Sequence, residues 1–183
     1  MAWQTRSSRT VYANPWISVR EDAVVTPDGA DGVYGVVEVR HPAVFVVALD
    51  DADRVLLVEV DRYTVGRSWE VVAGGSDGED PLAAAQRELR EEAGLEADDW
   101  AEVGRMDALN GICVAPEHVF LARGVRPAVG GPELARTQQE EGIGATRWVP
   151  FADVVAMLAG GRLRDGETVA ALAFAAAHLG RLA

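Results

Sequence analysis

Apolar and polar positions change rhythm several times along the chain, and each rhythm predicts an element. Residues 11–14 and 16–25 read as extended, with a break at Asn14-Pro15. Thr26-Pro27-Asp28-Gly29 carries turn chemistry, and residues 35–40 alternate like the returning strand of a hairpin. Residues 43–49 form an unbroken apolar run, the pattern of a buried strand. Residues 50–53 predict a turn, residues 54–60 the strand that pairs back, and residues 69–72 a short strand.

The period then becomes helical. Asp80-Pro81 reads as an N-cap with proline at the first helical position, residues 82–93 have helix-forming composition, and Gly94 stands where a C-terminal cap belongs. Residues 100–107 and 117–123 predict strands, and residues 130–141 a polar, charged loop. Residues 146–149 read as a short strand, and residues 151–158 and 168–179 as helices. There is no internal repeat. Hairpins interspersed with a few helices predict a mixed α/β sandwich rather than a doubly wound parallel sheet.

Composition narrows this picture. A chain of 183 residues, 49% hydrophobic, suits one domain with a sizeable core and leaves room for a second, small one. Cys113 is the single cysteine, which excludes an intrachain disulfide and a cysteine zinc site and fits a reducing cytoplasm. Residues 1–10 hold no apolar stretch of signal-peptide length, and no run approaches the roughly 18 apolar residues of a membrane span. The Ala-rich segment 168–182 is too short for one and is interrupted by His178, so it reads as a packed terminal helix. The net charge of −12 repels a phosphate backbone, so neither nucleic acid nor a membrane is expected as partner. A phosphorylated small molecule is still accessible if metal ions screen both sides. The acidic surplus reads equally well as a device for solubility.

One segment carries chemistry. At about 100° per residue, Leu82, Ala85, Leu89 and Ala93 share an apolar stripe, while Glu88, Glu91 and Glu92 fall within an arc of about 100° beside it. Arg90 points to solvent, and Ala84 leaves space on the carboxylate side. Like charges three and four apart repel by roughly 0.2–0.5 kcal/mol per exposed pair, and more when partly buried. Arg87 can reach Glu91 but cannot neutralise three carboxylates. A hard divalent cation can, and oxygen ligands suit magnesium or manganese. Three glutamates alone would be an ordinary acidic face. The glycine-rich Gly74-Gly75-Ser76-Asp77-Gly78 ahead of the helix favours a ligand instead, because it lets backbone approach closely.

These residues resemble the Nudix box. Glu79, seven residues, and then Arg87-Glu88-Leu89-Arg90-Glu91-Glu92-Ala93-Gly94-Leu95 follow its pattern. Ala73 stands where the pattern begins with glycine, and Gly74 supplies that glycine if the loop is one residue shorter. Val11-Tyr12-Ala13-Asn14-Pro15-Trp16, the turn at Pro27, Asp61-Arg62-Tyr63 and Arg147-Trp148-Val149-Pro150 look like the ADP-ribose pyrophosphatase branch. The resemblance implies an α/β/α sandwich with a mixed sheet, residues 1–40 forming N-terminal strands that support a homodimer and residues 41–183 the hydrolase domain. It implies Mg2+, with Mn2+ as substitute, held by Glu88, Glu92 and the carbonyl of Ala73. Glu91 would be a further ligand or a base, and Glu79 and Arg87 would brace loop and helix. Glu140 or Glu141 would activate water, and Arg62, Glu70 and Glu117 are candidates for substrate contact.

The implied reaction is hydrolysis of a diphosphate bond in a small nucleotide such as ADP-ribose. Nucleoside triphosphates or dinucleotides are the alternative substrates, and a non-catalytic nucleotide sensor the alternative function. Gly74-Gly75-Ser76-Asp77-Gly78 also matches the G-x-S-x-G nucleophile elbow. That motif starts its helix at the serine, whereas Pro81 starts this one later, so the match reads as coincidence even with His118 or His178 available. The three histidines have no paired ligand spacing, and the five tryptophans read first as core.

Overall fold

The computed structural model describes residues 2–128 and 130–182; Met1, Val129 and Ala183 lie outside them. The chain opens with β1 (Gln4–Ala13), β2 (Ile17–Val25) and β3 (Asp31–Val39), an antiparallel sheet. The break between β1 and β2 is an Asx turn: the Asn14 side chain accepts the Trp16 and Ile17 amides at 2.9 and 2.8 Å. Next come β4 (Ala43–Ala48), β5 (Arg54–Arg62), β6 (Gly66–Glu70), β7 (Val72–Gly75) and helix α1 (Pro81–Ala93). Then follow β8 (Leu95–Glu96), β9 (Asp99–Asp107), β10 (Cys113–Val114), β11 (Pro116–Arg123) and β12 (Arg126–Pro127). Helix α2 (Gly131–Glu140), β13 (Ile143–Pro150), α3 (Phe151–Ala159) and α4 (Gly166–His178) complete the described chain.

The architecture is the α/β/α sandwich. A mixed sheet ordered β7-β4-β11-β9 has β4 and β11 parallel at its centre, and a second sheet, β13-β5-β6, touches it through a bridge from Leu49 to Val55. The apolar run of β4 is continuous because both faces are covered. Val44, Val46 and Ala48 pack with Ala84, Ala85 and Leu89 of α1. Phe45 and Val47 of β4, with Leu49 just after it, pack with Val154 and Met157 of α3 and Ala171, Leu172 and Ala175 of α4. A fully buried leucine such as Leu57 or Leu89 contributes about 1.5–3 kcal/mol.

Helix α1 has both its expected caps. Asp80 accepts the Leu82 and Ala83 amides at 3.0 and 3.3 Å, an arrangement that stabilises a helix by about 1 kcal/mol. Gly94 adopts φ 67°, the left-handed cap, and its amide donates to Arg90 O at 3.0 Å. Ala84, expected to leave space beside the carboxylates, is instead fully buried in the core.

Three further expectations need correction. Residues 131–140 are helical, not a loop; α2 has no buried residue, and its apolar side chains are few (Pro132, Leu134 and Ala135), so its composition reads as a polar loop. Strand β1 starts at Gln4 rather than at residue 11, because its exposed polar half is held by backbone pairing to β2 and not by burial. The strand expected at 69–72 is split at Val71, and β7 runs on into the glycine segment as far as Gly75.

Candidate active site

The core between α1 and the sheet sets the carboxylate helix against β7. Glu88 and Glu92, one turn apart, are buried at 7% and 4% exposure. Glu92 accepts the Ala73 amide at 3.3 Å. Glu88 lies over Gly74, where a Cβ would stand 2.1 Å from its Oε1. That contact explains why glycine falls at 74 and not at 73: side chain and strand occupy the same space unless residue 74 has no side chain.

Glu91 stays at the edge, with its side chain 41% exposed. Arg87 ties the group together. Its Nη1 donates to Glu88 at 2.7 Å and to Glu91 at 2.9 Å, its Nε to Glu79 at 3.1 Å, and its Nη2 to the Gly75 carbonyl at 2.9 Å. Loop and helix are therefore braced through one guanidinium. Burial works against the Arg87 charge, but Glu88, Glu79 and Glu91 together hold its pKa above the usual arginine range.

Neutralisation stops short of Glu92. Burial, reinforced by the Glu88 charge, pushes its carboxyl up to about 8; the Ala73 amide and Arg62 pull the other way and lose. Burial also raises Glu88 against the pull of Arg87. Two buried carboxylates whose charge is only partly compensated favour either a proton or a cation.

Beside Ala73 and Gly74 opens a cavity of about 280 Å³, lined also by Arg62, Glu70, Glu117, Asp165 and Glu167. A larger one of about 530 Å³ shares Arg62, Glu70, Asp165 and Glu167 with it. Glu70 is fully engaged, taking two bonds from Arg62 at 2.7 and 3.1 Å and one from the Ser68 hydroxyl. Glu117, at the start of β11, is not. Among the described residues its Oε2 is the buried side-chain oxygen without a hydrogen-bond partner. Burial pushes Glu117 up to about 7, with Glu167 and Asp165 adding repulsion.

The two late glutamates differ. Glu140 is gripped by Arg136, with both carboxylate oxygens at 2.9 Å from one guanidinium nitrogen. Glu141, the C-cap of α2, contributes negative potential that raises both Glu88 and Glu92. The structure thus gathers Ala73, Glu79, Arg87, Glu88, Glu91 and Glu92 into one constellation, with Glu141 within electrostatic reach. Arg62, Glu70 and Glu117 line the adjoining cavity.

Asp165 and Glu167 lie outside the candidates that the sequence supplied. Asp165 does cap α4, accepting the Thr168 amide at 2.7 Å, and both acids also face the cavity. The paired acids flanking Gly166 were the available signal. Ser76 is buried, and His118 bonds Glu102 at 2.7 Å on a different edge, so the elbow match has no supporting geometry.

Comparison with known proteins agrees with this layout. Residues 39–172 match the NUDIX domain, and residues 3–37 match the nucleoside diphosphate sugar hydrolase N-terminal domain. The chain belongs to the Nudix family. It is a pyrophosphohydrolase of that family, built with the N-terminal domain of its nucleoside diphosphate sugar hydrolases. An ADP-ribose pyrophosphatase of Mycobacterium tuberculosis is 36% identical over 94% of this chain and 80% of its own length. A CMP-5'-(N-acetyl-N-hydroxy-3-aminopropyl)phosphonate hydrolase of Streptomyces rubellomurinus is 30% identical over 94% of this chain and 82% of its own. A solved ADP compounds hydrolase superposes with a TM-score of 0.81 at 21% identity, covering 98% of this chain and 97% of its own.

Nudix hydrolases generally use divalent metal ions. Among the described residues no three acidic, histidine or cysteine side chains form a metal cage by themselves. The donor set still fits a hard cation of the magnesium kind, which is usually held by one or two carboxylates together with substrate phosphate oxygens. Glu88 and Glu92 are oxygen donors that burial leaves under-neutralised, and the missing side chain at Gly74 gives the Glu88 carboxylate its place against β7.

Proposed function

We propose that the chain hydrolyses, with Mg2+, the diphosphate bond of ADP-ribose or a related nucleoside diphosphate sugar. One observation carries this reading: the buried, under-neutralised Glu88 and Glu92 lie against Gly74 and Ala73, which line a cavity whose acids are Glu70, Glu117, Asp165 and Glu167. Glu88, Glu92 and the carbonyl of Ala73 would hold the cation, with Glu91 as a further ligand or base. The cation would neutralise the diphosphate and lower the pKa of a bound water; Mn2+ would substitute for it.

The protein's own groups do the rest. Arg87 and Glu79 keep loop and helix in register. Glu141 takes the proton from the attacking water, since Glu140 is committed to Arg136. Arg62, held by Glu70, faces the substrate with a positive charge. Glu117, Asp165 and Glu167 accept hydrogen bonds from hydroxyls, which suits a sugar and disfavours the third phosphate of a triphosphate. Water adds to one phosphorus, the bridging oxygen leaves with the other, and ADP-ribose gives AMP and ribose 5-phosphate.

In this reading residues 1–40 form the N-terminal, dimer-forming part and residues 41–183 the hydrolase domain. The exposed Trp3, Tyr12 and Trp16 of that part support a homodimer. Among the described residues no helix is long and apolar enough to cross a membrane; the lone cysteine supports a cytoplasmic setting. A panel of ADP-ribose, other nucleoside diphosphate sugars, dinucleotides and triphosphates, assayed with Mg2+ by phosphate release after phosphatase coupling, tests the reading. Turnover of ADP-ribose or a nucleotide sugar above the others is expected. Absence of turnover on every diphosphate would refute it.

A further inference from the structure

Helix α2 has no buried residue, yet it is docked against α1. What holds it there is polar. The last carbonyls of a helix lack intrahelical partners. In α1 the Arg90 carbonyl takes the Gly94 amide, but the Glu91 and Glu92 carbonyls are met by α2. Gln138 Nε2 donates to the Glu92 carbonyl at 2.7 Å. The Thr137 hydroxyl lies 2.9 Å from the Glu91 carbonyl and equally 2.9 Å from Leu134 in its own helix, so its single proton is shared. Gln138 is therefore the firmer grip.

Helical periodicity links that grip to the chemistry. Positions three and four apart share a face, so Glu141 lies on the face of Thr137 and Gln138. Glu140 lies about 100° round from Glu141 and bonds Arg136 instead. The residue that clasps the backbone of Glu92 thus sits one turn from the carboxylate whose charge reaches Glu88 and Glu92.

We propose that Gln138 is a positioning residue: by clasping the Glu92 carbonyl it fixes α2 on the end of α1 and so sets Glu141 against the Glu88–Glu92 pair. It touches no reacting atom. The inference rests on the reading of Glu141 given under Proposed function.

The test replaces Gln138 with methionine, which keeps its length and removes its donors, alone and with Glu141→Gln. With ADP-ribose and Mg2+, Gln138→Met should lower kcat about tenfold, the effect of one lost hydrogen bond, and leave KM nearly unchanged. In the Glu141→Gln background it should have no further effect. Amide hydrogen exchange should quicken across residues 131–141 and stay unchanged through α1. An unchanged kcat, or an equal loss in both backgrounds, would overturn the proposal, since a merely structural role acts whether or not Glu141 is present. Full turnover by Glu141→Gln alone would instead overturn the assignment of Glu141 and this inference with it.

Discussion

Asp22 in the N-terminal sheet and Glu92 on α1 are buried to nearly the same degree, 6% and 4% exposed. Their surroundings drive them in opposite directions. Asp22 is bonded by Ser8 at 2.5 Å and Arg20 at 3.0 Å, which holds its carboxyl below the usual range. Burial, reinforced by the Glu88 charge, drives the Glu92 carboxyl up to about 8 against the pull of the Ala73 amide and Arg62. The sheet's acids are matched within the sheet, as Arg9 with Glu21 and Arg20 with Glu38 also show. In the pocket Glu70 is matched by Arg62, but Glu92 and Glu117 are not matched from within. Similar low exposure serves cohesion where hydrogen bonds outweigh desolvation, as at Asp22, and stores an attraction for something positive from outside where desolvation wins, as at Glu92.

Breaking the pocket side should have the largest effect. Glu92→Gln keeps the shape and removes the surplus charge, so turnover should fall on the order of a hundredfold or more while the thermal midpoint holds or rises. Retained turnover in a steady-state assay would mean that Glu92 holds no metal.

Gly74→Ala comes next. Its methyl cannot coexist with the Glu88 carboxylate, which is the far end of a flexible side chain and will move aside. Displacement of about 1 Å can cost up to about a hundredfold, so kcat should fall by about ten- to a hundredfold with little change in thermal midpoint. An unfolded variant, read by calorimetry, would show that Glu88 cannot give way.

Acid–base behaviour separates the two regions more gently. Glu92 goes from an ordinary value of 4.5 when unfolded to about 8 when folded, so the folded state holds its proton more tightly. That contribution is fully present below pH 4.5 and is lost as pH rises towards 8. Asp22 behaves in the opposite sense: its contribution is present above 3.8 and is lost as pH falls below it. Metal-free protein should therefore lose thermal midpoint both below about pH 4 and from about pH 5 to 8. Glu92→Gln should make the upper arm shallower without touching the lower one, as should added Mg2+ in the wild-type protein, while Glu117, also raised to about 7, keeps its share of the upper arm. An upper arm indifferent to both would separate Glu92 from metal affinity.

Sequence patterns revealed the parts of this comparison that rest on fixed spacing. Asp80-Pro81 and Gly94 marked the ends of α1, and the run at β4 marked a strand covered on both sides. The distance from Glu79 to Glu92 marked the constellation around Arg87. Elements without an apolar period stayed hidden. Helix α2 is attached through Thr137 and Gln138 to backbone carbonyls, and backbone acceptors leave no trace in a sequence. The outer half of β1 is held in the same way. Asp165 and Glu167 join the cavity only because α4 folds back across the sheet, a contact some hundred residues from β4 that no local pattern encodes.

That return has a consequence for how the chain is made. Strand β4 pairs in parallel with β11, some seventy residues later, and the buried Thr168 hydroxyl of α4 accepts the Val71 amide at 3.1 Å, just ahead of Ala73. Parallel pairing across such distances is slow, because the loop must close before the contact repays it. During synthesis α1 can coil early, but Glu117 and Glu167 reach the pocket only after β11 and α4 have been made. A nascent chain would carry its carboxylate helix without the walls of a pocket around it, and hydrolysis would begin only once α4 has folded back.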